Sequence, residues 1–300
     1  MTFAGEVTCM DLQKLKENYP NIESKELYKL FPRIDMSDYP ELSGYSWEAC
    51  HQCSLGGGAL FLASEMAQKM ELEAGMRVLD LGCGLGASSI FLAKHYAVTV
   101  VAADSQVSPS VNWQNVQRAG LEGRVIPVRM DARDIFYPEG YFDAVFSMNA
   151  YLYFGTDDLY LPYLTQFMRD SGRICIAGPC YAGELGPDTP KELLEDESLA
   201  YHSPQWWGNH FFKTGLVDVL DCQEHPKGRE FWLDMVRWIV EDARTNGEAY
   251  PDFLLHDMVM LLSDPRRFVT YFLLLAEKRE KVFESKTVKG CQVQDAGGVA

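Results

Sequence analysis

The chain has 300 residues, 47% of them hydrophobic and 12% aromatic, which is enough apolar material for one large domain with a substantial core. A formal charge of −16 works against polyanionic partners, so neither nucleic acid nor anionic membrane is expected to bind. No stretch approaches the ~18 uninterrupted apolar residues of a membrane span. The first residues, Met1 to Glu6, carry no basic region followed by an apolar one, so the sequence predicts a cytoplasmic protein.

Residues 11–31 read as an amphipathic helical segment broken at Pro20, and residues 1–54 as an N-terminal arm or cap. The run Gly56-Gly57-Gly58 precedes a helix over 59–70, whose apolar face is Leu60, Phe61, Ala63, Ala67 and Met70. Strands and helices then alternate. A strand over 77–81 is followed by a helix over 87–96, a strand over 98–103 ending at Asp104, and a helix that Ser108 caps with Pro109 in its first turn. A third strand over 124–130 contains Pro127, which removes a ladder donor and belongs on an edge. A fourth strand spans 142–148, a helix 157–168 and, after a turn at 169–171, a fifth strand 172–178. Residues 181–203 read as a loop, 216–222 and 267–276 as the last two strands. Between them an insertion, about 227–264, holds helices near 230–243 and 253–262 and suggests a lid or a homodimer surface. The domain proper covers 55–283, and 284–300 is polar, aperiodic and expected to be disordered.

The eight cysteines, Cys9, Cys50, Cys53, Cys83, Cys175, Cys180, Cys222 and Cys291, are scattered, and reduced thiols are expected. Only Cys50 and Cys53 are close in sequence. A structural zinc site needs a second such pair, so no metal is expected.

The most informative segment is Val78-Leu79-Asp80-Leu81-Gly82-Cys83-Gly84-Leu85-Gly86, a buried strand running into a glycine-rich turn that opens a helix. Gly82, Gly84 and Ala87 also satisfy the G-x-G-x-x-A pattern of dinucleotide folds, which keeps a nicotinamide-dependent oxidoreductase as a competing reading. Asp80 argues against it, because a carboxylate two residues before the first glycine repels a pyrophosphate and attracts a cation.

With its acid followed by x-G-x-G-x-G, the segment resembles motif I of class I S-adenosylmethionine-dependent methyltransferases, with motif spacing like the UbiE-like and cyclopropane-synthase-like branches. The resemblance covers roughly residues 55–278. It implies an α/β, Rossmann-like sheet of seven strands in the order 3-2-1-4-5-7-6, strand 7 antiparallel, with helices on both faces. The implied cofactor is S-adenosyl-L-methionine, the product S-adenosyl-L-homocysteine, and the partner a small-molecule methyl acceptor.

Residue by residue, Asp80 matches the acid near the methionine ammonium, and Gly82, Cys83, Gly84 and Gly86 the turn around the ligand. Asp104, with Ser105, stands where an acid accepts hydrogen bonds from both ribose hydroxyls, and Asp131 with Ala132 where the adenine amino group is met. Asn149, at the end of strand 4, faces the reacting region. No N-P-P-Y or D-P-P-Y signature follows strand 4, which disfavours methylation of nucleic-acid bases and of protein glutamine. His51, Tyr151 and His210 are the general-base candidates if the nucleophile starts protonated. Tyr153, Trp206, Trp207 and His210 are substrate-wall candidates, with core packing as the alternative for the aromatic run Trp206–Phe212. The readings left open are a non-catalytic cofactor-binding subunit, a lipid-modifying enzyme and an arsenic methyltransferase using Cys50, Cys53, Cys180 and Cys222.

Overall fold

A computed structural model describes residues 31–187, 189, 197–247, 261 and 268–280. Seven strands form one sheet: β1 (Arg77–Leu81), β2 (Thr99–Asp104), β3 (Val125–Arg129), β4 (Phe142–Met148), β5 (Met168–Tyr181), β6 (Val217–Glu224) and β7 (Val269–Lys278). Their order is β3-β2-β1-β4-β5-β7-β6. The first five strands run parallel to one another, and β7 runs antiparallel to both β5 and β6. This is the order and direction that the sequence predicts. Central strands read as continuous apolar runs because helices cover parallel sheets, and Val78, Leu79, Val100, Val101, Val145 and Ile174 are all buried. Pro127 sits on β3, an edge strand, opposite Ala102.

The helices around the sheet are α1 (Trp47–His51), α2 (Ala59–Lys69), α3 (Ala87–Tyr96), α4 (Pro109–Ala119), α5 (Tyr160–Leu164), α6 (Pro204–Phe212) and α7 (Gly228–Asn246). Phe31, Ile34, Tyr39, Leu42 and Trp47 pack into the same core as the sheet. Most of the expected first helix, the second insertion helix over 253–262 and the tail over 284–300 lie outside the described residues. Among the described residues no helix is long and apolar enough to cross a membrane.

Three local expectations are corrected, and one segment without an assigned element takes form. The helix over 157–168 is reduced to α5 and a 3-10 turn, Thr165–Phe167, with Pro162 depriving α5 of a backbone donor. The turn expected at 169–171 is a bulge inside β5: Met168 faces Phe142 while Arg173 faces Ala144, and Ser171 takes up the extra length at φ 59°. The aromatic run after residue 204 is helix α6, started by Ser203, whose hydroxyl accepts from the Trp206 amide. Ser108 makes no side-chain cap on α4, since its hydroxyl pairs with that of Ser110.

Candidate functional site

The sheet order reverses between β2 and β4 on either side of β1, and ligands in open α/β sheets bind outside the carboxyl ends of strands at such a point. A cavity of about 390 Å3 lies there. Its walls are the segments that follow β1 (Gly82, Cys83, Gly84), β2 (Ser105, Gln106, Val107), β3 (Met130 to Arg133) and β4 (Asn149, Ala150, Tyr153), with Cys53 to Gly56 on the remaining side.

The turn after β1 approaches its neighbours closely. Gly82 has φ 79°, and a Cβ there would lie 2.2 Å from the Cβ of Ala150, so both the backbone conformation and the space demand glycine. The Gly82 and Cys83 amides donate to the Ala103 carbonyl at 2.8 and 3.0 Å. From behind, Asn112 of α4 donates to the Gly84 carbonyl at 2.9 Å and Asn115 to the Leu85 carbonyl at 2.9 Å. The turn is therefore fixed before any ligand arrives.

Asp80 does not line the cavity. It lies buried beneath the turn, its Oδ2 accepting from the Ser88 and Ser89 hydroxyls of α3 at 2.6 Å each, while Oδ1 has no partner. Burial pushes its carboxyl up to about 6; the two serine hydroxyls oppose that rise and the nearby Asp104 adds to it. An unpartnered buried carboxylate oxygen below a ligand-sized cavity is a site that a cation would stabilise.

Asp104 bridges two walls. Its Oδ2 accepts from the Gly84 amide at 3.0 Å and its Oδ1 from the Gln106 and Val107 amides at 2.8 Å each. Asp104 thus shapes the turn between β2 and α4 and also faces the cavity. Asp131 and Ala132 line the same cavity, with Asp131 Oδ1 held by the Arg133 amide at 2.8 Å. Asn149 stands at φ 58°; its Nδ2 donates to the Gly57 carbonyl at 3.0 Å and its Oδ1 is buried without a partner.

Of the residues singled out from sequence, Gly82, Cys83, Gly84, Asp104, Ser105, Asp131, Ala132, Asn149 and Tyr153 come together on the cavity, while Gly86, at φ 86°, caps α3 behind it. Besides Asp80, five others are not on its walls. His51 is buried at the end of α1, its Nε2 2.8 Å from Asp234 Oδ2 of α7 and its ring stacked on Trp238. Tyr151 is 1% exposed among Phe154, Tyr160, Trp207 and Phe211, and burial raises its phenol well above the usual range. Trp207 is fully buried and stacks on Phe272 of β7. His210 places its Nε2 3.0 Å from the Gly155 carbonyl; burial, then Lys213, lowers its pKa. Trp206 is sandwiched between the rings of His202 and His210. The aromatic segment fills the space between α6, β7 and the turn after β4 because its flat rings satisfy one another, and this removes it from the cavity face.

Sequence reasoning missed Asn112, Asn115, Ser88 and Ser89, which support the turn and its acid. The signal was present in part: Asn112 and Asn115, three residues apart, share one helix face.

Residues 78–172 match a family model described as "Methyltransferase domain". Phosphoethanolamine N-methyltransferase 1 of Arabidopsis thaliana is 26% identical over 163 residues, 54% of this chain and 33% of the plant protein. The chain spans 33 to 39% of the length of the first three curated relatives it matches. Among solved structures, the Haemonchus contortus phosphoethanolamine N-methyltransferase 2 in complex with S-adenosyl-L-methionine superposes with a TM-score of 0.63 at 17% identity, covering 82% of this chain and 60% of that one. The cyclase SpnF superposes with a TM-score of 0.61 at 19% identity, covering 76% and 88%. The glycine turn with its buried acid, the strand order with β7 reversed and the match over 78–172 converge on one conclusion: residues 78–172 match a methyltransferase domain, set in a sheet with the strand order and directions of the Rossmann-like methyltransferase fold.

Proposed function

We propose that the protein binds S-adenosyl-L-methionine in the cavity at the ends of β1 to β4 and transfers its methyl group to a small-molecule acceptor. The observation that carries this reading is the placement of three acids around one glycine-walled cavity: Asp80 beneath it, Asp104 at the end of β2, and Asp131 after β3. When bound, the cofactor supplies a methyl group on a sulfonium whose leaving group is already activated. Asp104 would then hold the ribose hydroxyls, Asp131 and Ala132 the adenine edge, and the unpartnered Oδ1 of Asp80 would favour positive charge above the turn. The rigid turn supplies alignment, which is the main demand of an in-line displacement. Because His51, Tyr151 and His210 stand elsewhere, this reading assigns them no proton transfer.

Phosphoethanolamine, the acceptor in the curated relatives' names, makes small amines the first acceptors to screen. The decisive experiment combines calorimetric titration with S-adenosylhomocysteine and NAD with a screen of acceptors using labelled S-adenosylmethionine. Binding of the sulfur nucleoside and label transfer to a small molecule are expected. Binding without transfer to any acceptor class would favour a regulatory subunit, and a response to NAD alone would overturn the reading.

A further inference from the structure

The Gly56-Gly57-Gly58 run, read from sequence only as the approach to a helix, has a task at the cavity. Among the described residues, 53–56 form the one wall that does not follow a strand. Backbone in the left-handed region brackets this segment, at Cys53 (φ 64°) on one side and at Gly58 (φ 81°) and Ala59 (φ 43°) on the other. A non-glycine residue holds such a conformation only where its surroundings over-determine it. On the upstream side, Asp234 of α7 holds α1: its Oδ1 accepts from Trp47 Nε1 and the Ile34 amide at 2.8 Å each, and its Oδ2 faces His51 at 2.8 Å. On the downstream side, the fastening is the Asn149 Nδ2 bond to the Gly57 carbonyl at 3.0 Å. The fit is tight: a Cβ on Gly56 would lie 2.4 Å from Asn149 Nδ2, and one on Gly57 would lie 2.4 Å from the Tyr271 hydroxyl oxygen.

Resting on the methyltransferase reading for the identity of the ligand, we propose that Asn149 is a positioning residue that acts through Gly57. It holds the Cys53–Gly56 segment as a fixed wall, so that donor and acceptor bind against a surface that is already in place. The amide orientation follows from the acceptor it meets, since only Nδ2 can donate to a carbonyl. Asn149 is among the residues best able to stand at positive φ while offering that donor. The insertion helix α7 bears on the site in the same way, through Asp234 and α1.

Cys53 provides the readout, because it is one of the residues of that wall and carries an alkylatable thiol. The test measures alkylation of Cys53 by iodoacetamide at the level of its peptide, the affinity for S-adenosylhomocysteine, and the melting temperature. It compares the parent, Asn149→Gly, Gly56→Ala and the double variant. Asn149→Gly keeps the left-handed backbone at no steric cost, so the fold is preserved. It should alkylate at Cys53 about tenfold faster without ligand and bind S-adenosylhomocysteine about tenfold more weakly, the effect of one lost hydrogen bond. Gly56→Ala should damage the parent but add little in the Asn149→Gly background, where the obstructing side chain is gone. Unliganded alkylation within twofold of the parent in Asn149→Gly would overturn the proposal, and weaker binding alone would instead make Asn149 a direct ligand contact. If the parent itself fails to bind S-adenosylhomocysteine, the methyltransferase reading falls, while the unliganded alkylation rates still decide whether Asn149 fixes the wall.

Discussion

The turn after β1 and the aromatic helix α6 attracted attention for different reasons, and the structure treats them differently. In the turn, the residues chosen from sequence are on or directly behind the cavity. In α6, Trp207 is buried against Phe272, and Trp206 and His210 stack on one another away from it. Glycines at fixed spacing after a strand, with an acid before them, constrain the backbone and so imply a geometry. Aromatic residues state only that area is to be buried, and a protein core buries it as readily as a substrate does.

The largest expected effect tests the α6 side of that contrast. Trp207→Ala should lower stability by ~3–5 kcal/mol, read by urea denaturation, with cofactor affinity of the folded fraction unchanged. Trp207→Phe, which keeps a ring against Phe272 and removes an indole N–H that has no partner, should cost less than about 1.5 kcal/mol. A small loss for Trp207→Ala together with weakened ligand binding would return α6 to the site.

Next in size is the pH response of the acid beneath the turn. Asp80 has its carboxyl raised to about 6 in the folded state from an ordinary value of 3.8. A raised acid takes up its proton in the fold before it does in the unfolded chain, so its contribution to stability increases as pH falls from 7 through about 6 and levels off below about 4. The gain is about 3 kcal/mol. Asp80→Asn should remove this increment, so the stability difference between parent and variant should change with pH over that window. Affinity for a cationic ligand should move oppositely in the parent, weakening as Asp80 is protonated. A pH-independent difference between the two proteins would show that the carboxylate is not strained by burial.

Much of the fold was legible in the sequence because each signal was local. Pro127 marked the edge strand, continuous apolar runs marked the central strands, and the acid-and-glycine segment marked the switch point. What was not legible depended on partners distant in sequence. Asp234 lies in an insertion with no motif, yet it accepts from Ile34 and Trp47, roughly two hundred residues upstream. Asn149 was noted for its place after β4, but its bond to Gly57 spans 92 residues. His51 is a general-base candidate in the sequence because histidine is chemically versatile, and only the packing of Trp47, Phe61 and Trp238 around its ring places it in the core, off the cavity walls.

Asp104 sharpens the contrast at the turn. Three backbone amides donate to it, two from the segment after β2 and one from Gly84, so it holds two walls as well as facing the cavity. Asp104→Ala should weaken binding of S-adenosylhomocysteine by ~1.5–3 kcal/mol, the loss of charge-assisted hydrogen bonds. Asp104→Asn retains one acceptor oxygen and should recover part of the loss. Unchanged affinity in Asp104→Ala, with an unchanged melting temperature, would remove this residue from the site.

The smallest expected effect is at Ser108, and it isolates what Asp104 does. Sequence alone assigns the start of α4 to Ser108, which would leave Asp104 free for a ligand. In the structure the Ser108 hydroxyl is spent on Ser110, and no backbone amide of α4 uses it. At the start of α6, by contrast, the Ser203 hydroxyl does accept from the Trp206 amide at 3.2 Å. Removing a side-chain cap costs roughly 1 kcal/mol, whereas a hydroxyl on an exposed segment with no capping bond is worth within about 0.5 kcal/mol of nothing. Ser108→Ala should therefore leave both stability and cofactor affinity at the parent's values, while Ser203→Ala should lower the unfolding midpoint measurably. A loss in Ser108→Ala as large as that in Ser203→Ala would mean that the serine caps α4 in solution instead of pairing with Ser110.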